Sequence, residues 1–178
     1  YPKRLELGTV GILGAVQDVL KWKGSKLPAL LLELDERSAN AVIIGANGIE
    51  ISHRIGMGSK DIAESLKLEL NLKDEDAAIR LLSAKDFDFS TISKKIIRKL
   101  QRELQSSIGY YEVQTGQSVN WIHTTSRTIQ MDWLERSMGE FLNLESLKFD
   151  VREWLESVGV SFASDELIEM VDSSWLGL

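Results

Sequence analysis

The sequence predicts an α/β fold in which a mixed sheet is covered by helices. Apolar runs follow one another between Ala29 and Ile55, separated by turn signals. A stripe of apolar residues at spacings of three and four then extends from Ile92 to Tyr111. A further apolar run, Val119 to His123, comes after that stripe. Antiparallel strands first and crossover strands afterwards make a mixed sheet with helices on its faces.

Each element has its own signal. From Thr9 to Trp22, Val10, Leu13, Val16 and Leu20 fit a short packing helix closed by Gly24 and Pro28. Ala29 to Leu34 is apolar at almost every position, as in a strand covered on both faces. Ala41 to Ile44 and the alternating Ile49, Ile51 and Ile55 make a hairpin around Asn47-Gly48. Ser59 and Asp61 are positioned to cap a helix running to Leu70, and Asp74, Glu75 and Asp76 open a shorter one ending at Leu82. The stripe Ile92, Ile96, Ile97, Leu100, Leu104, Ile108, Tyr111 reads as one dominant helix. After the Val119 to His123 strand, Thr128 to Met138 reads as helix with Gly139 as its stop, and Ser146 to Asp150 as an edge strand. Ser164 caps a last helix whose Leu167, Ile168, Val171 and Trp175 share a face.

The composition narrows the function. With 21 Lys and Arg against 27 Asp and Glu, the formal charge of -6 argues against a sequence-blind electrostatic hold on nucleic acid or anionic lipid. No cysteine is present, which removes disulfides, zinc clusters and thiol catalysis, and an intracellular setting fits. The Val10 to Leu20 stretch is too short and too interrupted to span a bilayer, so this segment carries no direct membrane insertion. No Ser/His/Asp order, metal motif or Walker-type loop is visible, so no catalytic residue and no metal ligand is assigned.

Two local segments bear on anion binding. The turn in Glu33 to Asn40 has no glycine, and Glu33, Asp35 and Glu36 would repel a phosphate unless a divalent cation intervened. It reads as a polar hairpin rather than a phosphate loop. Arg54 to Ser59 joins a strand to a helix start, where backbone donors can hold an anion, although a plain connection capped by Ser59 accounts for it as well. Lys94, Lys95, Arg98, Lys99 and Arg102 give the long helix a basic side, either a solvated face or a contact surface for an acidic partner. His53, His123 and the tryptophans Trp121, Trp133, Trp154 and Trp175 read as structural.

The segment Arg102 to Gly116, with Glu103, Ser107, Tyr110, Tyr111 and Gln114-Thr115-Gly116 ahead of Asn120-Trp121-Ile122, resembles the PilM family of actin-like cytoplasmic proteins of type IV pilus assembly. Leu31 to Asn40 looks like that family's second phosphate turn, Arg54 to Gly58 like its strand exit, Lys73 to Arg80 like its short acidic helix, and Ser174 to Leu178 like its closing helix. The resemblance implies an actin-like (ribonuclease H-like) domain and the second half of such a fold. Residues 1–27 would be an entry helix from a first half, and 28–178 the C-terminal domain, with a helical insertion at about 59–90.

The departures from that family carry the functional expectation. Its Asp-x-Gly turn is replaced by Glu33-Leu34-Asp35, and its Gly-Gly pair, which lets adenosine lie on the backbone, by Thr124-Thr125. The first adds negative charge beside a phosphate; the second adds β-branched bulk. Glu33, Ser38, Asn40, Thr124, Thr125 and Ser126 would line a degenerate nucleotide cleft, with weak magnesium-dependent ATP binding or none. Arg54, Lys95, Lys99 and Arg102 are the candidate partner contacts. The expected role is a cytoplasmic scaffold, peripheral to the inner membrane through pilus or secretion proteins. The alternatives are an ATPase or kinase of the same superfamily, or the actin-like subunit of a type II secretion system.

Overall fold

The computed structural model describes residues 28–126 and 128–147, together with Gly14, Gln17, Asp18, Leu155, Glu156 and Gly159. The chain divides into two compact units, residues 27–147 and residues 1–26 with 148–178, and the site lies in the first. Its strands are β1 (Ala29–Leu34), β2 (Ala39–Gly45), β3 (Gly48–Ile55), β4 (Trp121–Ser126) and β5 (Glu145–Ser146). Its helices are α1 (Ser59–Leu70), α2 (Glu75–Leu82), α3 (Ser93–Ile96), α4 (Arg98–Thr115) and α5 (Asp132–Leu142).

The sheet has the order β3-β2-β1-β4-β5. β1 pairs antiparallel with β2 and parallel with β4, and β2 pairs antiparallel with β3. The continuous apolar run of β1 is thus the central strand, buried along its whole length. One face carries Leu30, Leu32, Leu34, Ala41, Ile43, Ile55 and Ile122 into a core shared with Ile62, Leu66, Leu82, Leu100, Leu104 and Met138 of the helices. The other face is equally closed at Ala29, Leu31, Val42 and Ile44.

Several elements differ from the sequence expectation. The long stripe is interrupted at Ile97, whose φ of -112° and ψ of 16° leave the helical region. Two consecutive β-branched residues, Ile96 and Ile97, are both buried there, and the hydrogen bonds Ile97 N–H to Ser93 O and Gln101 N–H to Ile97 O still run through. Gly139 does not stop its helix. α5 continues to Leu142 and ends at Asn143 in the left-handed region, φ 56°. The glycine is there because a Cβ would stand 2.8 Å from the Leu144 carbonyl oxygen. A bulge between Ile43 and Ile44 leaves Glu50 as the extra residue of β3, so Ile49 is exposed rather than inward. The fourth strand sits later than its apolar run, at Trp121–Ser126, and β5 is confined to Glu145–Ser146, with 148–150 outside the described residues.

Elsewhere the local rules hold. Asp74 caps α2 by accepting the Ala77 N–H at 2.8 Å, and Gly116, at φ 68°, closes α4 after Gln114-Thr115. The expected first helix has only Gly14, Gln17 and Asp18 described, all three helical, and the expected last helix lies outside the described residues.

Candidate functional site

Cross-strand register builds the site. Arg54 pairs with Asn40, Asn40 with Glu33, and Glu33 with Thr125, so β3, β2, β1 and β4 present one polar row on the face away from the helical core. Glu33 is 1% exposed and Thr125 6%, while Asn40 is half-buried. The Asn40 amide donates to Glu33 Oε2 at 3.4 Å, and Arg54 Nη2 donates to Ser38 Oγ at 3.3 Å. The Thr125 hydroxyl has no hydrogen-bond partner among the described residues.

Alternation along β4 splits the candidate set. Thr124 and Ser126 are the register partners of Leu32 and Leu34 and therefore face the opposite side from Glu33 and Thr125. Thr124 is held by α5: its N–H and hydroxyl donate to Glu135 Oε2 at 2.7 and 3.3 Å. The Ser126 hydroxyl accepts the Ile129 N–H at 3.4 Å. Of the six residues placed at a nucleotide cleft, the sheet brings together Glu33, Asn40, Thr125 and, at the turn, Ser38. Thr124 and Ser126 are not part of that row, because neighbours in a strand cannot share a face.

The turn above the row is closed from outside. Asp35 N–H donates to Ser38 O at 2.8 Å, forming the hairpin turn. The first N–H groups of α1 donate to this turn, Ser59 to Asp35 O at 2.9 Å and Lys60 to Glu36 O at 3.0 Å. Gly58 rather than Ser59 is the cap residue, and Asp61 accepts its N–H at 2.8 Å. The Ser59 hydroxyl instead meets Thr128 Oγ1 at 2.8 Å, tying the β4 exit to α1. The Lys60 ammonium pairs with Glu36 and holds that carboxyl below the usual carboxylate range. Backbone donors at a helix start normally invite an anion; here carbonyl oxygens occupy them.

The basic residues gather elsewhere. Lys95, Arg98, Lys99 and Arg102 line a groove of about 620 Å³ with Gly56, Met57, Asp61 and Glu103. Arg54, expected among them, lies apart on β3 with Ser38. His53 Nδ1 lies 2.8 Å from Ser107 Oγ, and its Nε2 lies 3.8 Å from Glu103 Oε2. Because the Ser107 hydroxyl already donates to the Glu103 carbonyl at 3.0 Å, its oxygen is left to accept from His53. That direction is the reverse of a base activating a serine, so the constellation ties β3 to α4 and makes no nucleophile.

The sequence reading missed Glu135, which besides Thr124 accepts the Ser146 hydroxyl and lies 3.5 Å from His123 Nδ1. No local signal marked it, since one carboxylate on an amphipathic helix looks like a solvated position. Among the described residues no group of His, Asp and Glu is arranged to hold a metal ion, and no helix is long and apolar enough to cross a membrane.

No family model matches the sequence, and no curated protein matches it. Solved structures do. A PilM-PilN type IV pilus biogenesis complex superposes with a TM-score of 0.70 at 19% identity, covering 99% of this chain and 52% of the other. The fold is actin-like. An archaeal actin homologue agrees, in its native form, with a TM-score of 0.52 at 15% identity over 80% of this chain and 52% of its own. The chain spans about half the length of these structures. Within this actin-like domain the hairpin turn at Asp35 to Ser38 and the exit of β4 lie at the same end of the sheet, joined through the start of α1.

Proposed function

We propose that this chain acts as an actin-like scaffold of type IV pilus assembly, working through protein contacts on the cytoplasmic side of the inner membrane, with ATP bound weakly or not at all. The observation that carries this reading is the occupied start of α1. The Ser59 and Lys60 N–H groups, which would otherwise face a phosphate, donate to Asp35 and Glu36 carbonyls, and the turn itself presents carboxylates instead of glycine. The likeness to a PilM-PilN complex supports the pilus setting and a protein partner from that machinery. Pull-down with the protein that contains this chain, against the membrane components of the pilus machine, is expected to retain a partner. Retention of none at any tested concentration would overturn the scaffold.

One observation favours a second reading, a nucleotide-dependent enzyme on the same fold. The buried Thr125 hydroxyl beside Glu33 has no hydrogen-bond partner among the described residues, and a buried polar group left unmet calls for one. Calorimetry with magnesium ATP separates the two. Micromolar or tighter binding that disappears in Glu33→Ala supports the enzyme, and no measurable heat supports the scaffold.

A further inference from the structure

We propose that the groove between the β3 exit, α1 and α4 binds an acidic, extended segment of a partner protein. This gives the scaffold reading its contact surface and rests on that reading. The groove's volume of about 620 Å³ lies in the range of built ligand sites. Four cations line it against two carboxylates, in a chain whose formal charge is -6. A locally inverted charge of this kind selects and steers an anionic partner.

Both carboxylates are engaged: Asp61 accepts the Gly58 N–H, and Glu103 lies beside His53. The cations are far less neutralised. Lys99 Nζ donates to the Gly56 carbonyl at 2.6 Å, a neutral acceptor that positions the ammonium and leaves its charge. Lys95 meets Glu69 at 2.9 Å in an exposed pair of the sort that holds at most about 1 kcal/mol. Arg98 and Arg102 have no ion-pair partner among the described residues.

The spacing specifies the ligand's form. Arg98 and Arg102 are successive turns of one helix face, about 6 Å apart along its axis. Carboxylates at alternate positions of an extended chain repeat every ~6.6 Å, so two of them meet the two guanidiniums in register, with bidentate geometry open to each. The floor, Met57 and Ile96, is nearly closed to solvent, leaving charge to supply most of the affinity. A nucleic acid would need the basic surface to continue along its backbone. Here it ends within a few helical turns.

The probe is a short fluorescent peptide alternating Glu with Val, titrated into the 178-residue chain and followed by anisotropy, beside the same peptide with Gln for Glu. Saturable binding of the Glu peptide is expected, with at least tenfold weaker binding in the double variant R98A/R102A and in 1 M salt, where screening acts within about 3 Å. Arg102→Gln alone, at an exposed position, should weaken binding less but in the same direction. Arg80→Ala, on α2 outside the groove, should leave it unchanged. Equal affinity for the Gln peptide, undiminished affinity in R98A/R102A, or tighter binding of a single-stranded oligonucleotide or of inorganic pyrophosphate overturns the proposal. Such a failure leaves the pull-down of pilus partners as it was, and loss of those partners with peptide binding intact would sink the scaffold alone.

Discussion

A Cβ on Gly58 would stand 2.4 Å from the backbone nitrogen of Arg37 and 2.5 Å from the Glu36 carbonyl oxygen. The hairpin turn and the start of α1 are therefore in direct backbone contact, which is what lets Ser59 and Lys60 donate to the turn. Gly58→Ala forces the two apart, and neither side is a flexible side chain. A loss of about 3 kcal/mol is expected, at the upper end for overpacking. Urea unfolding measures it. Gly109→Ala, inside α4 with nothing within 4 Å of the added Cβ, should instead stabilise by about 0.5–1 kcal/mol.

Glu135 stands in for a strand. Beyond the Ile122–Ser146 pair of β4 and β5, the Thr124 N–H donates to its carboxylate at 2.7 Å, and the same side chain holds the Ser146 hydroxyl. Glu135→Ala leaves that N–H without its acceptor and should cost about 1–3 kcal/mol. Glu135→Gln keeps a carbonyl oxygen at the site and should recover more than half of the loss in the same unfolding measurement.

How far these relationships were legible follows from the range of the interactions. The central strand declared itself, because Ala29 to Leu34 is apolar on both faces, and Asp74 and Gly116 obey capping rules that depend on a few neighbours. The break at Ile97, the extra residue at Glu50 and the tolerance of Gly139 depend on what packs against them from distant segments. Of the candidate site, the Glu33, Asn40 and Thr125 row needed cross-strand register, which no single stretch encodes. The family resemblance places Thr124, Thr125 and Ser126 at one cleft through the position of its Gly-Gly pair, whereas strand alternation puts Thr125 on the opposite face from its two neighbours. The basic side of α4 was readable from spacing, whereas the groove it lines required the β3 exit and α1 to come alongside.

Burial pushes the Tyr111 phenol above its ordinary value of 10.0, and the nearby Glu50 carboxylate acts in the same direction. The sign follows from proton binding. Above about pH 10 the unfolded chain loses this proton more readily than the folded one, so stability is full below that value and falls as pH rises through it. Comparing urea midpoints at neutral pH and above pH 10 in the wild type and Tyr111→Phe isolates this group. The wild type should lose more stability on alkalinisation than the variant. Equal losses would show that the phenol contributes nothing to the pH dependence.

Thr125 joins stability to function. Its hydroxyl is buried and has no hydrogen-bond partner among the described residues, and an unmet polar group of this kind costs about 1–3 kcal/mol relative to a satisfied one. Thr125→Val keeps the branched shape that packs in β4 and removes the polar atom. If the row is a vestige in a scaffold, the variant should be as stable as the wild type or more so, and its pull-down of partners should not change. If the hydroxyl serves a nucleotide, the variant gains the same stability but loses affinity for magnesium ATP by about tenfold or more, the cost of one hydrogen bond to a charged ligand. Thermal unfolding with and without magnesium ATP reads both quantities in one experiment: a ligand-induced rise in midpoint present in the wild type and diminished in Thr125→Val would reverse the assignment of this fold to a scaffold.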